Sequence, residues 1–423
     1  MFQKFIIIII LISIQNICVA KSIKIPEKTT SLNFDLTDEL KLALNSNIDS
    51  IIIKSNIEDY FLDPITLFNV YNKTIIFEDG VSLRAKPKAF KRTNDVLLKF
   101  INSNNIIIIG NNGKLSMNKE EYVNGEWRNA ISLLGCNNVF IEKLHIMDSG
   151  GDGVYISGSS TRSFSSNIHL NEIICQNNKR QGLSIISAEH VVIENSMFCD
   201  TNGALPEAGI DIEPNSEQDR VVDINFNNCL FEKNGHSGIL LALSKLNSNS
   251  TPVSVTFNNC VISNNHSLEN PYAKAELVFT AKKENPVKGH VIFNKCLVKD
   301  SEWSFFYSRK TSNAYTVTFK DCVVNNISKN EKSAVINLEV PDYYKETYFL
   351  GGYYFENLQL EYYSKAPYLR VRGSHLNTLK GVTNIKGTIN LISNTVKEVE
   401  YINYDKKNNK DVDIELNYIY SRH

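Results

Sequence analysis

The chain has 423 residues, and 45 Lys+Arg set against 46 Asp+Glu leave it no global field with which to draw nucleic acid or an anionic membrane. Glycine (20) and proline (10) are modest, while isoleucine and asparagine are plentiful, a composition suited to stacked strands joined by polar turns. So long a chain would ordinarily hold two or three domains, but one unbroken repeat points to a single elongated one.

Residues 1–20 read as a secretory signal peptide, with Lys4, the apolar run Phe5–Ile14 and small residues at Cys18-Val-Ala20. The apolar run is shorter than the ~20 residues a span requires, so no membrane span is expected. The mature protein is expected to be secreted or extracytoplasmic, in the periplasm or at the cell surface.

Residues 35–45 carry Leu36, Leu40, Ala43 and Leu44 at helical spacing, with acids in the first turn. A solenoid exposes its apolar end unless something covers it, so this helix is expected to be the N-terminal cap. Strands are predicted at 50–54, 73–77, 97–100 and 105–109, with a basic solvated loop at 86–92. The regular part follows over 96–330, after a lead-in at 21–95. Irregular last coils and a C-terminal cap are expected over 331–423.

The repeat itself is clearest in four segments, Gly151–Ser157, Arg180–Ile186, Glu207–Glu213 and His236–Ala242. Their glycines at 153, 182, 209 and 238 stand 29, 27 and 29 residues apart. A step of this size with a short alternating apolar run marks a stacked solenoid, here an all-β parallel β-helix. Residues two apart on a strand share a face, so Ile131/Leu133, Val154/Ile156, Leu183/Ile185, Ile210/Ile212 and Ile239/Leu241 should point inward. Three outward columns would result: Arg128, Gly151, Arg180, Glu207, His236; then Ala130 with the four glycines; then Ser132, Tyr155, Ser184, Asp211, Leu240. The glycine column would floor a shallow groove walled by polar groups, unless those glycines serve turns with positive φ.

Second strands follow in each coil, from Val139–Ile141 to Thr316–Phe319, and third strands begin at Leu144, Ile173, Ser196 and the four cysteines 229, 260, 296 and 322. Asparagines at the corner between them, such as Asn195, Asn228 and Asn259, should hydrogen-bond from coil to coil. Seven cysteines remain after residue 20, an odd number spread along the coils, and read as small buried thiols rather than a disulfide framework. Seven tyrosines crowd residues 342–363 and are expected to pack against a cap more than to stack on sugars.

Ser149-Gly-Gly-Asp-Gly-Val-Tyr-Ile156, Asn178-Lys-Arg-Gln-Gly-Leu-Ser-Ile-Ile186, Thr201-Asn-Gly and Ala208-Gly-Ile-Asp-Ile-Glu-Pro-Asn215 resemble the secreted right-handed parallel β-helix proteins of the pectate-lyase-like superfamily. The resemblance covers roughly residues 95–330 and implies a right-handed parallel β-helix with an N-terminal capping helix. That superfamily includes lyases, glycoside hydrolases, uronate epimerases and tailspikes, so the fold does not name the reaction. Gly235-His236-Ser237-Gly238 only approximates the Gly-His-Gly of polygalacturonase-type hydrolases, and their Arg-Ile-Lys is absent.

The groove suits a linear ligand, and the resemblance implies a polysaccharide, here a uronate-containing one, as partner. For elimination or epimerisation, Arg128 and Arg180 would neutralise the uronate carboxylate. In a calcium-dependent version Asp148, Asp152, Asp211 and Glu213 would instead gather Ca²⁺; no other cofactor is expected. Tyr155 or His236 would move protons, and Glu207 and Glu213 would help to bind substrate. For hydrolysis, Asp152 and Asp211 lie two coils apart, near the ~6.5–9.5 Å of an inverting pair. Glu207 and Asp211, ~13 Å apart on one strand, match poorly. The plainer alternatives are an Arg180–Glu207 ion pair of structural value only, and a non-catalytic, adhesin-like rod. Nothing in the pattern sets an oligomeric state.

Overall fold

A computed structural model describes residues 21–26, 34–266, 274–330 and 332–420; the expected signal peptide lies outside the described residues. Among the described residues strand follows strand, with one α-helix between them, Thr37–Asn45. Every strand pairs in parallel with its equivalent one coil away, for instance Ser165–Asn171 with Ala188–Glu194 and that with Val221–Asn227. A twelve-stranded parallel sheet forms one wall and runs in chain order from Ile65–Phe68 to Val399–Ile402. The second and third strands of each coil form the remaining walls as one larger bent sheet.

The hydrophobic alternation explains this winding. Val154, Ile156, Leu183, Ile185, Ile239 and Leu241 have no solvent-exposed surface, so each strand seals its apolar side against the coil interior. Fully burying such a side chain contributes roughly 1.5–3 kcal/mol, repeated at every rung. From the second strands Phe226, Phe257, Phe293 and Phe319 stack with ring centroids 4.7–5.0 Å apart, near the strand spacing itself. The seven cysteines among the described residues are free and buried, with the Cys229, Cys260, Cys296 and Cys322 thiols each directed at a carbonyl of the coil before.

The corners behave as expected. Asn195, Asn228 and Asn259 adopt positive φ near 50–55°, and their amides bond in a ladder: Asn195 to Asn171 at 3.0 Å, Asn228 to Asn195 at 3.2 Å, Asn259 to Asn228 at 3.4 Å. Asparagine tolerates this left-handed backbone better than most residues and satisfies its own side chain in doing so. The helix begins two residues later than predicted, where Asp35 accepts from the Thr37 N–H at 3.0 Å, and buries Leu40, Ala43 and Leu44 against the first coils.

One expectation is corrected. The 86–92 loop is not merely solvated, because Lys86 pairs with Asp35 at 2.6 Å and Phe90 is buried. After residue 330 the coils continue through the long strands Tyr348–Glu361, Leu379–Ser393 and Asn409–Tyr420, with register shifts in the first of them. The tyrosines there divide: Tyr353 and Tyr362 are core residues, whereas Tyr343 is exposed on a turn over the twelve-stranded sheet.

Candidate active site

The outward side of the twelve-stranded sheet is assembled by register. Tyr155 pairs with Ser184, Ser184 with Asp211, and Asp211 with Leu240, so these residues form one row across adjacent rungs. Asp152 pairs with Gln181, and Gln181 with Ala208, to form a second row. The glycines do not lie between them as a groove floor. A Cβ on Gly153, Gly182 or Gly209 would meet the next glycine's carbonyl oxygen at 2.6–2.7 Å, together with Asn178, Phe198 or Asn234 inside the coil. Their φ angles are not in the left-handed region either, so neither the floor nor the turn explains them. Interior crowding does. With glycine pointing in, the residue before it points out, and this is how Asp152 escapes the parity of a simple alternation.

Arg180 then becomes the centre of a charged cluster. Its Nη1 lies 3.8 Å from Asp152 Oδ1, its Nη2 lies 4.0 Å from Asp211 Oδ2 and 3.0 Å from Glu213 Oε2, and its Nε lies 3.6 Å from Glu126 Oε2. Asp152 and Asp211 are each 1% exposed, the Arg180 side chain 15%, and the Glu213 side chain 41%, so the carboxyl pair sits on the floor and Glu213 on the open rim. Gln181 donates to Asp211 Oδ2 at 3.0 Å and accepts from the Ala208 N–H at 3.0 Å, which fixes its amide. Asp152 Oδ1, Asp211 Oδ1, Arg180 Nε and Ser184 Oγ are buried with no hydrogen-bond partner among the described residues. Polar atoms in this state call for water or a ligand to complete their hydrogen bonds.

Burial governs the electrostatics. It pushes the Asp152 carboxyl up to about 7 against the opposing Arg180 charge. The Asp211 carboxyl rises well above the ordinary range, through burial and the nearby Glu213 charge, again opposed by Arg180. Burial likewise raises the Tyr155 phenol. Burial thus favours the protonated form of each carboxyl while the one guanidinium opposes it, an arrangement suited to acid–base work.

Other expected site residues lie outside this cluster. Arg128 is buried, gives its guanidinium to the carbonyls of Phe90 (3.1 Å), Asn124 and Lys91, and stands 5.1 Å from the Tyr122 ring centre, so it anchors a loop. Glu207 accepts from the Gly203 N–H at 2.8 Å in the turn before its strand. His236 places Nδ1 3.1 Å from Ser237 Oγ, one rung beyond Glu207. Asp148 has φ 58° at a corner and accepts from the Asn177 amide at 2.6 Å. Of the four carboxylates expected to gather Ca²⁺, Asp152, Asp211 and Glu213 surround Arg180 while Asp148 stays at its corner, and no group of three His, Cys, Asp or Glu among the described residues is placed to hold a metal ion. Glu126 and Gln181 are not marked out by the sequence, and Ser184 is marked only as a member of the outward column. Gln181 and Ser184 follow from register with Asp152 and Asp211, whereas Glu126 arrives on a loop whose path no repeat reveals.

Comparisons with known proteins agree with the fold. Residues 100–283 match the family model described as right handed beta helix region. An exopolygalacturonase from Thermotoga maritima superposes with a TM-score of 0.51 at 13% identity, over 91% of this chain and 92% of that one. The mannuronan C-5 epimerase AlgE6 A-module of Azotobacter vinelandii gives 0.50 at 11% identity, over 92% and 97%. At these identities the likeness is one of fold. The uncharacterized protein YclG of Bacillus subtilis strain 168 is 31% identical over 102 residues, which are 22% of this chain and 18% of that protein. The matched stretches thus span about a fifth of the length of the curated relatives.

Proposed function

We propose that this right-handed parallel β-helix protein is an exported carbohydrate-active enzyme that cleaves a linear, uronate-containing polysaccharide laid across the outer face of its twelve-stranded sheet. The observation that carries the reading is the buried Asp152 and Asp211 pair flanking Arg180. Hydrolysis uses it most directly. The protonated member of the pair gives its proton to the leaving glycosidic oxygen as the C–O bond breaks. The ionised member takes a proton from the water whose oxygen forms the new bond to the sugar carbon. The two strands are separated by two rungs of ~4.8 Å, which suits water attack from the opposite side and inversion. Arg180 and the rim of Glu213 and Glu126 orient the sugar, the guanidinium taking the uronate carboxylate.

Elimination is the second reading, favoured by Arg180 lying in reach of a uronate carboxylate beside Tyr155 and Asp211. One screen on uronate and neutral polysaccharides separates the outcomes. New reducing ends without an unsaturated-uronate absorbance mean hydrolysis, and both together mean elimination. Retained binding with neither product means a non-catalytic glycan-binding rod. Asp211→Asn and Arg180→Ala should each lower turnover at least ~100-fold, the scale of losing general acid–base catalysis, with the far-UV spectrum unchanged. Full activity in either variant would remove this site from consideration. Export is checked separately, by finding the protein outside the cytoplasm with its first ~20 residues removed.

A further inference from the structure

Past Asp211 the same outer face becomes apolar and then charged again. Leu240, Val278 and Tyr307 continue the row of Asp211, while Ala242, Thr280 and Arg309 continue the row of Glu213. A cleft of about 230 Å³ opens there, lined by Leu240, Ala242, Thr280, Arg309, Tyr344 and Tyr348. The two tyrosines come from the turn and strand over the sheet, with ring centres 5.5 Å apart. Tyr348 donates its hydroxyl to the Arg309 carbonyl at 2.8 Å, and Arg309 Nη1 donates to Tyr343 Oη at 3.0 Å.

Arg309 Nε is buried with no hydrogen-bond partner, and among the described residues no carboxylate forms an ion pair with this guanidinium. Arg309 is half-buried and stands 5.8 Å from the Tyr307 ring centre, and a partly desolvated cation without a counter-ion is a ready partner for an anionic ligand. Tyrosine faces suit the C–H face of a sugar ring, and the Thr280 hydroxyl suits its hydroxyl groups. The cleft lies on the face that carries Arg180. Four rungs separate the two arginines, a span of roughly 19 Å at ~4.8 Å per rung.

We infer that this cleft is a second binding subsite, taking an anionic sugar of the glycan whose scissile bond lies at Asp152, Arg180 and Asp211. It rests on the polysaccharide reading above and adds a charge-selective anchor several rungs away. The subsite selects for uronate at a distance from the reaction, and substrate long enough to reach it binds more tightly.

Affinity electrophoresis in native gels tests it, with polygalacturonate or alginate as the acidic probes and dextran as the neutral one. Wild type and Asp211→Asn should both be retarded by at least one acidic polymer and not by dextran. Arg309→Gln should bind about tenfold more weakly, the effect of losing a charge-assisted hydrogen bond, with partial rescue in Arg309→Lys. Tyr344→Ala should weaken retardation as well, and melting curves confirm that each variant is folded. Wild-type mobility unchanged by both acidic polymers, or Arg309→Gln retarded as wild type, overturns the subsite. Retardation without turnover would leave the subsite standing and sink the cleavage reading; turnover with no effect of Arg309→Gln would do the reverse.

Discussion

At the scale of single residues, two buried ionisable groups pull stability in opposite directions with pH. Asp152 titrates at about 7 in the fold, above the ~3.9 of an unfolded aspartate, so the folded state binds its proton more tightly. Its contribution is fully present below about pH 4 and is lost as pH rises through about 7. Asp152→Asn should therefore flatten the dependence of melting temperature on pH between those limits. Lys310 behaves inversely. It has no exposed surface, bonds only to the carbonyls of Thr311 and Gly351, and stands over the rings of Tyr353 and Tyr315, with burial lowering its amine to about 7. The unfolded state binds that proton more tightly up to ~10.4, so this group's penalty is complete below pH 7 and fades as pH rises towards 10. Lys310→Met should raise the melting temperature at pH 6 more than at pH 9.5, as read by thermal scans at both values.

At the scale of one rung, the glycines and asparagines do different work. Gly182 faces Phe198 inside the coil and the Gly209 carbonyl one rung on, so even a methyl group must displace backbone. Gly182→Ala is expected to cost about 1–3 kcal/mol in urea unfolding, as overpacking does. Because the same strand carries Arg180 and Ser184, turnover should fall beyond what the stability loss explains. Asn228 instead combines φ 55° with an amide bond to Asn195, and its replacement should weaken the corner without touching the site.

At the scale of the molecule, the coil interior of the described residues is one continuous cluster from Ile25 to Leu391, with a small second cluster of Ala208, Leu240, Ala275, Val278 and Tyr307 beside it. Each coil leans on its neighbours, so stability is nearest-neighbour in character. Removing one ring from the stack, as in Phe257→Ala, should cost about 3–5 kcal/mol and be felt by the coils on both sides. Circular dichroism against urea measures that cost. Hydrogen exchange would show whether protection is lost over adjacent rungs, and loss confined to one rung would contradict the nearest-neighbour picture.

Sequence by itself determined the winding, the inward apolar pairs, the asparagine corners and the buried thiols, because each is a local periodic signal that stacking merely repeats. It also picked out Arg180 and Asp211, since polar residues on an outward row stand out against their bland equivalents, and named Asp152 and Glu213 as carboxylates beside them. The tertiary structure alone decided which of these converge. It showed that inward-pointing glycine turns Asp152 outwards, that a loop carries Glu126 into the cluster, and that Arg128 is spent on backbone carbonyls. It also brought Tyr344 and Tyr348 over Arg309, residues 35 and 39 positions apart in the chain. Loops and turns carry no period, so where they return to the sheet is settled only by the packing of the folded chain.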